Sequence, residues 1–229
     1  MSGVFQAPSP SSADGRDHTL LDAAQLDSLA AAFTVLGRLH LLAPDEQTLL
    51  SLWELLDEWP LAGTEAAAAG LAELEAARRS GETSTTIRQD HDYLYGDTAV
   101  ARVAPYESVH RGLEGLVFDE QTLEVRQAYR TLSLAAPRIN REPDDHIGLE
   151  FDFIAQASLK ALDALDADSV HDARRYIEAG AGFLREHLQP WAPEMLTRAG
   201  AEARTHFMRG LALLSLGALE SYAGMLADR

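Results

Sequence analysis

From Thr19 onward the apolar residues recur at intervals of three and four, and runs of alternating β-branched residues are missing. That spacing gives a helix one stripe to bury and gives a strand no inner face, so the predicted fold class is all-α. Leu26, Leu29, Phe33 and Leu36 form one such stripe in a helix over 20–42, which Pro44 ends. Asp45 is placed as the N-cap of a second helix carrying Leu49, Trp53 and Leu56, closed before Pro60. The alanine-rich run over 64–79 predicts a third helix ending at Ser80 and Gly81, and a short one follows over 86–95. Residues 96–106 contain Gly96, Asp97, Val100, Val103 and Pro105, and are expected to form the longest internal loop. Further helices are predicted over 120–136, 143–165, 170–188 and 201–226, with no internal repeat.

Residues 1–18 carry Pro8, Pro10 and several serines, without the basic start and apolar stretch of a secretory signal. They are expected to be a disordered tail on a cytoplasmic protein, with one all-helical domain over 19–229. No stretch reaches the roughly 18 uninterrupted apolar residues that mark a membrane span.

Charge and composition remove several functions. The 229 residues hold 19 Lys and Arg against 36 Asp and Glu, a net charge of −17, where a non-specific binder of nucleic-acid phosphates needs the opposite sign. The absence of cysteine excludes disulfides, thiolate metal sites and a cysteine nucleophile. The single lysine, Lys160, follows Leu159 and no glycine-rich loop, so there is no phosphate-binding loop either.

Two segments stand out. Tyr93, Leu94 and Tyr95 precede the long loop and Pro105, Tyr106 and Ser108 follow it, so three of the six tyrosines flank one irregular stretch. Such rings either pin the loop to the core or rim a peptide groove, since tyrosine offers area and a polar end at low entropic cost. The second segment is Glu142-Pro143-Asp144-Asp145-His146, continued by Ile147-Gly148-Leu149-Glu150-Phe151. Proline at the first helical position and acids in the first turn favour helix initiation through the helix dipole. Asp145, His146 and Glu150 also admit a reading as an acid/base or metal cluster, although the second histidine usual in zinc sites and a nucleophile elbow are both missing.

These residues resemble the TorD/DmsD family of redox-enzyme maturation chaperones, related more distantly to the NarJ group. The family's hallmark Glu-Pro-x-Asp-His falls on Glu142 to His146. Its aromatic-x-x-Leu-aromatic motif falls on His91 to Tyr95, with His91 in place of the first aromatic, so that contact is either shifted to Tyr93 or lost. Pro105-Tyr106-Glu107-Ser108-Val109 matches its Pro-aromatic-x-Ser-Val segment, and Phe183-Leu184-Arg185-Glu186-His187-Leu188 with Trp191 matches its Phe-Leu-x-x-His-Leu-x-x-Trp stretch.

The resemblance implies a helical TorD-like domain that binds rather than catalyses and needs no cofactor. Its implied partner is the N-terminal twin-arginine signal peptide of a molybdopterin-dependent oxidoreductase subunit, a molybdenum or tungsten enzyme held in its apo form until the cofactor is inserted. A NarJ-like client without an exported leader is the alternative. Tyr93, Leu94, Tyr95, Pro105, Tyr106, Ser108, Glu142, Pro143, Asp145 and His146 are the expected peptide-binding residues. Carboxylates at Glu142 and Asp145 suit guanidinium donors, and Leu94, Tyr95 and Tyr106 are expected to rim an apolar groove. Monomers and domain-swapped dimers both fit the resemblance, with a hinge over 136–143.

Overall fold

The computed structural model describes residues 21–96, 101–112, 117, 120–135 and 143–227. The tail over 1–18, Glu142 and most of the expected hinge lie outside these residues. The described residues form ten α-helices: α1 (Ala23–Leu41), α2 (Glu46–Leu55), α3 (Glu65–Ser80), α4 (Ser84–Tyr95), α5 (Glu107–Arg111), α6 (Glu120–Thr131), α7 (Ile147–Asp166), α8 (Val170–Phe183), α9 (Ala192–Glu202) and α10 (His206–Ala227). A 3-10 turn (Leu56–Glu58) extends α2 and a π-helical turn (Leu184–Leu188) extends α8. The chain is all-α, as its periodicity predicts.

Local chemistry explains most boundaries. Asp22 and Gln25 form a reciprocal capping box on α1, and the Asp45 carboxylate accepts the Thr48 N–H at the start of α2. Gly81 ends α3 with φ 72°, a left-handed conformation that a Cβ would disfavour. The expected helix over 143–165 starts instead at Ile147, because Pro143, Asp144 and Asp145 are drawn into the core. Two helices, α5 and α9, lie where none was expected.

α1 packs along α7 and α3 along α10, while α1 also touches α10 and so joins the pairs. Glycines permit both close approaches. A Cβ at Gly148 would lie 2.6 Å from the Gly37 carbonyl oxygen, and one at Gly210 would lie 3.0 Å from the Gly70 carbonyl oxygen. The rings of Phe33 and Phe151 meet edge to face at 5.1 Å between α1 and α7. α10 is long and apolar enough to cross a membrane by length and composition, and half of its apolar window is buried by α1, α3 and α9, as in the core helix of a bundle.

Candidate functional site

The last turns of α4 carry the first motif. Ile87, Asp90, His91 and Leu94 share the inner face at helical spacing, so Leu94 and Tyr95 are buried in the core instead of rimming a groove. Tyr95 meets the His91 ring edge-on at 5.2 Å and the His40 ring at 5.7 Å. Burial holds the Tyr95 phenol well above its usual range. Tyr93 is half-buried, and the Arg204 guanidinium lies 3.3 Å from the centre of its ring.

The second and third motifs meet across a short antiparallel bridge between Tyr106 and His146. Ile147 donates its N–H to the Pro105 carbonyl at 2.8 Å, and Glu107 donates its own to the Asp145 carbonyl at 3.0 Å. Asp145 is fully buried. One carboxylate oxygen accepts the Ser108 N–H and the other the Thr122 hydroxyl, each at 2.7 Å. Asp144, also fully buried, pairs with Arg126 of α6, and its carbonyl accepts the Tyr129 hydroxyl. The two acids therefore act as inward clamps that hold α5 and α6 to the start of α7, rather than as dipole-complementing charges in a first helical turn. Each satisfies donors that would otherwise be buried unpaired. Pro143 and Ser108 are buried with them.

His146 is itself the N-cap of α7, its Nδ1 accepting the Gly148 N–H at 3.0 Å, while the Tyr106 ring meets it edge-on at 5.2 Å. Burial and the repulsion of His91 push its pKa down to about 3, so the ring stays neutral. Asp145 lies near Glu150, but the side chains of Asp145, His146 and Glu150 share no hydrogen bond. The first two point to different partners, and no group of three His, Asp or Glu side chains among the described residues is arranged to hold a metal ion.

Beneath this corner lies a second polar cluster that the sequence reading did not single out. Glu107, fully buried, pairs with Arg111 one turn later in α5 and accepts a hydrogen bond from His187 at 3.1 Å. Glu150 on α7 faces Glu107, and both its oxygens are buried without a hydrogen bond of good geometry. Burial first, then the nearby Glu107 and Asp145 carboxyls, raise the Glu150 pKa well above its usual range. The signal was present in the sequence. Glu107 lies within the second motif and His187 within the fourth, but the eighty residues between them hide the contact.

A cleft of about 460 Å³ opens beside His91, between the end of α1 and α4, with Arg38, Leu41, Leu42 and Arg88 on its walls. The family profile of nitrate reductase delta subunits matches residues 61–197, more than half of the chain and every motif segment described above. The chain belongs to this family. Within it the chain is of the TorD/DmsD type: it is 26% identical over 100 residues to the chaperone protein TorD of Photobacterium profundum, covering 44% of this chain and 45% of that one. It is 25% identical over 136 residues to a probable Tat proofreading chaperone DmsD of Haemophilus influenzae, covering 59% of this chain and 60% of the other. The matches thus span about half the length of each of these family members.

Proposed function

We propose that this protein is a cytoplasmic maturation chaperone that binds the N-terminal twin-arginine signal peptide of a molybdenum or tungsten oxidoreductase subunit and shields it until the cofactor is inserted. The observation that carries this reading is the family match over 61–197, whose motif segments the fold gathers into one corner. Two relatives named as chaperones support it. The action is binding and release, without catalysis. Tyr93, Tyr106 and His146 keep part of their surface open and contact the peptide. Leu94, Tyr95, Pro105, Ser108, Pro143 and Asp145 hold them in place from beneath, and the Glu142 carboxylate suits a guanidinium of the leader. Burial of the peptide's apolar run supplies most of the affinity, while the −17 net charge speeds the approach of a cationic leader.

The test is recovery of tagged protein from its native host, with mass spectrometry of what co-purifies. An unprocessed molybdoenzyme precursor with its twin-arginine leader intact is the expected result. An oxidoreductase subunit that never carries such a leader would move the function to a NarJ-like assembly role. Absence of any oxidoreductase would overturn both.

A further inference from the structure

A cleft larger than the one beside His91, of about 870 Å³, lies between α6, α8 and the π-helical turn. Phe153, Phe183, Ala128 and Ala179 supply apolar lining, and the charged residues around it are mixed, Glu124, Glu178 and Glu186 with Arg175 and Arg185. At one end sits Arg111, whose guanidinium pairs with the buried Glu107 and donates to the Glu186 carbonyl at 2.9 Å.

That carbonyl is available for a chemical reason. Its helical partner four residues on is Pro190, which has no N–H, and the Trp191 N–H turns to the Leu188 carbonyl instead. The π-helical turn, closed by the Gln189 N–H to the Leu184 carbonyl at 2.8 Å, presents the Glu186 carbonyl to the cleft. A buried carboxylate and an orphaned carbonyl together match the donors of one guanidinium. Arg111 fills this place from a helix of only five residues, with 31% of its side chain exposed to the cleft.

We propose that Glu107 and the Glu186 carbonyl form a guanidinium socket for an arginine of a bound peptide, and that Arg111 occupies it as a placeholder which the peptide's arginine displaces. Ala128 and Ala179, backed by the buried rings of Phe153 and Phe183, then take the apolar residue that follows. α5 is about 7 Å long and runs from the Tyr106–His146 corner to this cleft, so one peptide reaches both. The socket stands on its own geometry and rests on the signal-peptide reading only for the source of the arginine.

The test uses the full chain and N-acetyl-arginine amide as probe, with N-acetyl-lysine amide as control, followed by NMR titration. Removing the placeholder by Arg111→Ala is expected to raise affinity for the arginine probe at least tenfold over the native protein, with a preference over the lysine probe of at least tenfold. Adding Glu107→Gln is expected to abolish the gain. Arg111→Ser, whose side chain is too short to reach the Glu186 carbonyl, serves if the alanine variant does not fold. No gain on removing Arg111, or equal binding of both probes, would overturn the socket and show Arg111 to be a structural ion pair. Because the probe contains no leader sequence, this failure is distinct from failure of the pull-down.

Discussion

The Asp145 carboxylate accepts the main-chain N–H of Ser108 at 2.7 Å, across thirty-seven residues of chain. A carboxylate that closes a loop of this size inside the core behaves as a fastener, and its loss leaves the Ser108 N–H and the Thr122 hydroxyl buried without an acceptor. Asp145→Ala is therefore expected to cost about 2–4 kcal/mol in urea denaturation. Paired with Thr122→Val, the loss should fall short of the sum of the single effects by about 0.5 kcal/mol or more. A loss below about 0.5 kcal/mol for Asp145→Ala alone would show that the clamp is dispensable.

The α1–α7 crossing depends on a missing methyl group. A Cβ at Gly148 meets Leu41 Cγ at 2.5 Å and the Gly37 carbonyl oxygen at 2.6 Å, whereas one at Gly182 meets nothing within 4 Å. Gly148→Ala is expected to destabilise by about 1–3 kcal/mol through overpacking. Gly182→Ala should be neutral or gain up to about 1 kcal/mol of helix propensity. Thermal melts of the two variants check the contrast, and equal shifts would contradict it.

Acid should weaken the protein through its buried histidines. Burial lowers the pKa values of His40, His91 and His146, and repulsion by neighbouring histidines adds to it at His40 and His146. An unfolded histidine takes up its proton near pH 6.5, so the stability owed to these rings is full above that pH. It falls on acidification by up to about 1.4 kcal/mol per pH unit for each ring. Glu150 acts in the opposite sense, since its raised pKa penalises the folded state most where the unfolded carboxyl is ionised. His40→Gln, which retains a partner for the Ser215 hydroxyl, is expected to flatten the decline in melting temperature between pH 6.5 and 5. Glu150→Gln should stabilise the protein more at pH 8 than at pH 5. An unchanged pH slope in either variant would remove its residue from the account.

Asp90 fixes the entry to α10. Its Oδ2 accepts the Arg204 N–H at 2.9 Å, and the Thr205 N–H and hydroxyl at 2.7 Å each. Asp90→Ala is expected to cost about 1–2 kcal/mol, the range for a lost cap, with faster amide exchange confined at first to residues 204–208. Exchange that rises uniformly along the chain would point to global destabilisation instead.

Helix positions were legible because their causes are local. The Asp45 cap, the Gly81 stop and the stripe of Leu26, Leu29, Phe33 and Leu36 act within a few residues of themselves. α5 escaped notice because five residues hold too little of a 3.6-residue period to register, and the π-helical turn because Pro190 and the residues before it read as the end of an ordinary helix. The motif residues were found, but their direction was not. Asp145 was expected to face an arginine and faces Ser108, and Leu94 and Tyr95 were expected at a rim and lie in the core.

The sequence by itself determined an all-helical chain, its main caps and breaks, and the family to which its motifs belong, because period, capping and residue order are properties of the chain. The tertiary structure alone decided which acids turn inward and which carboxylates share a neighbourhood. Those outcomes depend on what packs against each helix: Glu107 and Glu150 meet only because α5 and α7 are held together, and no spacing along the chain encodes that distance.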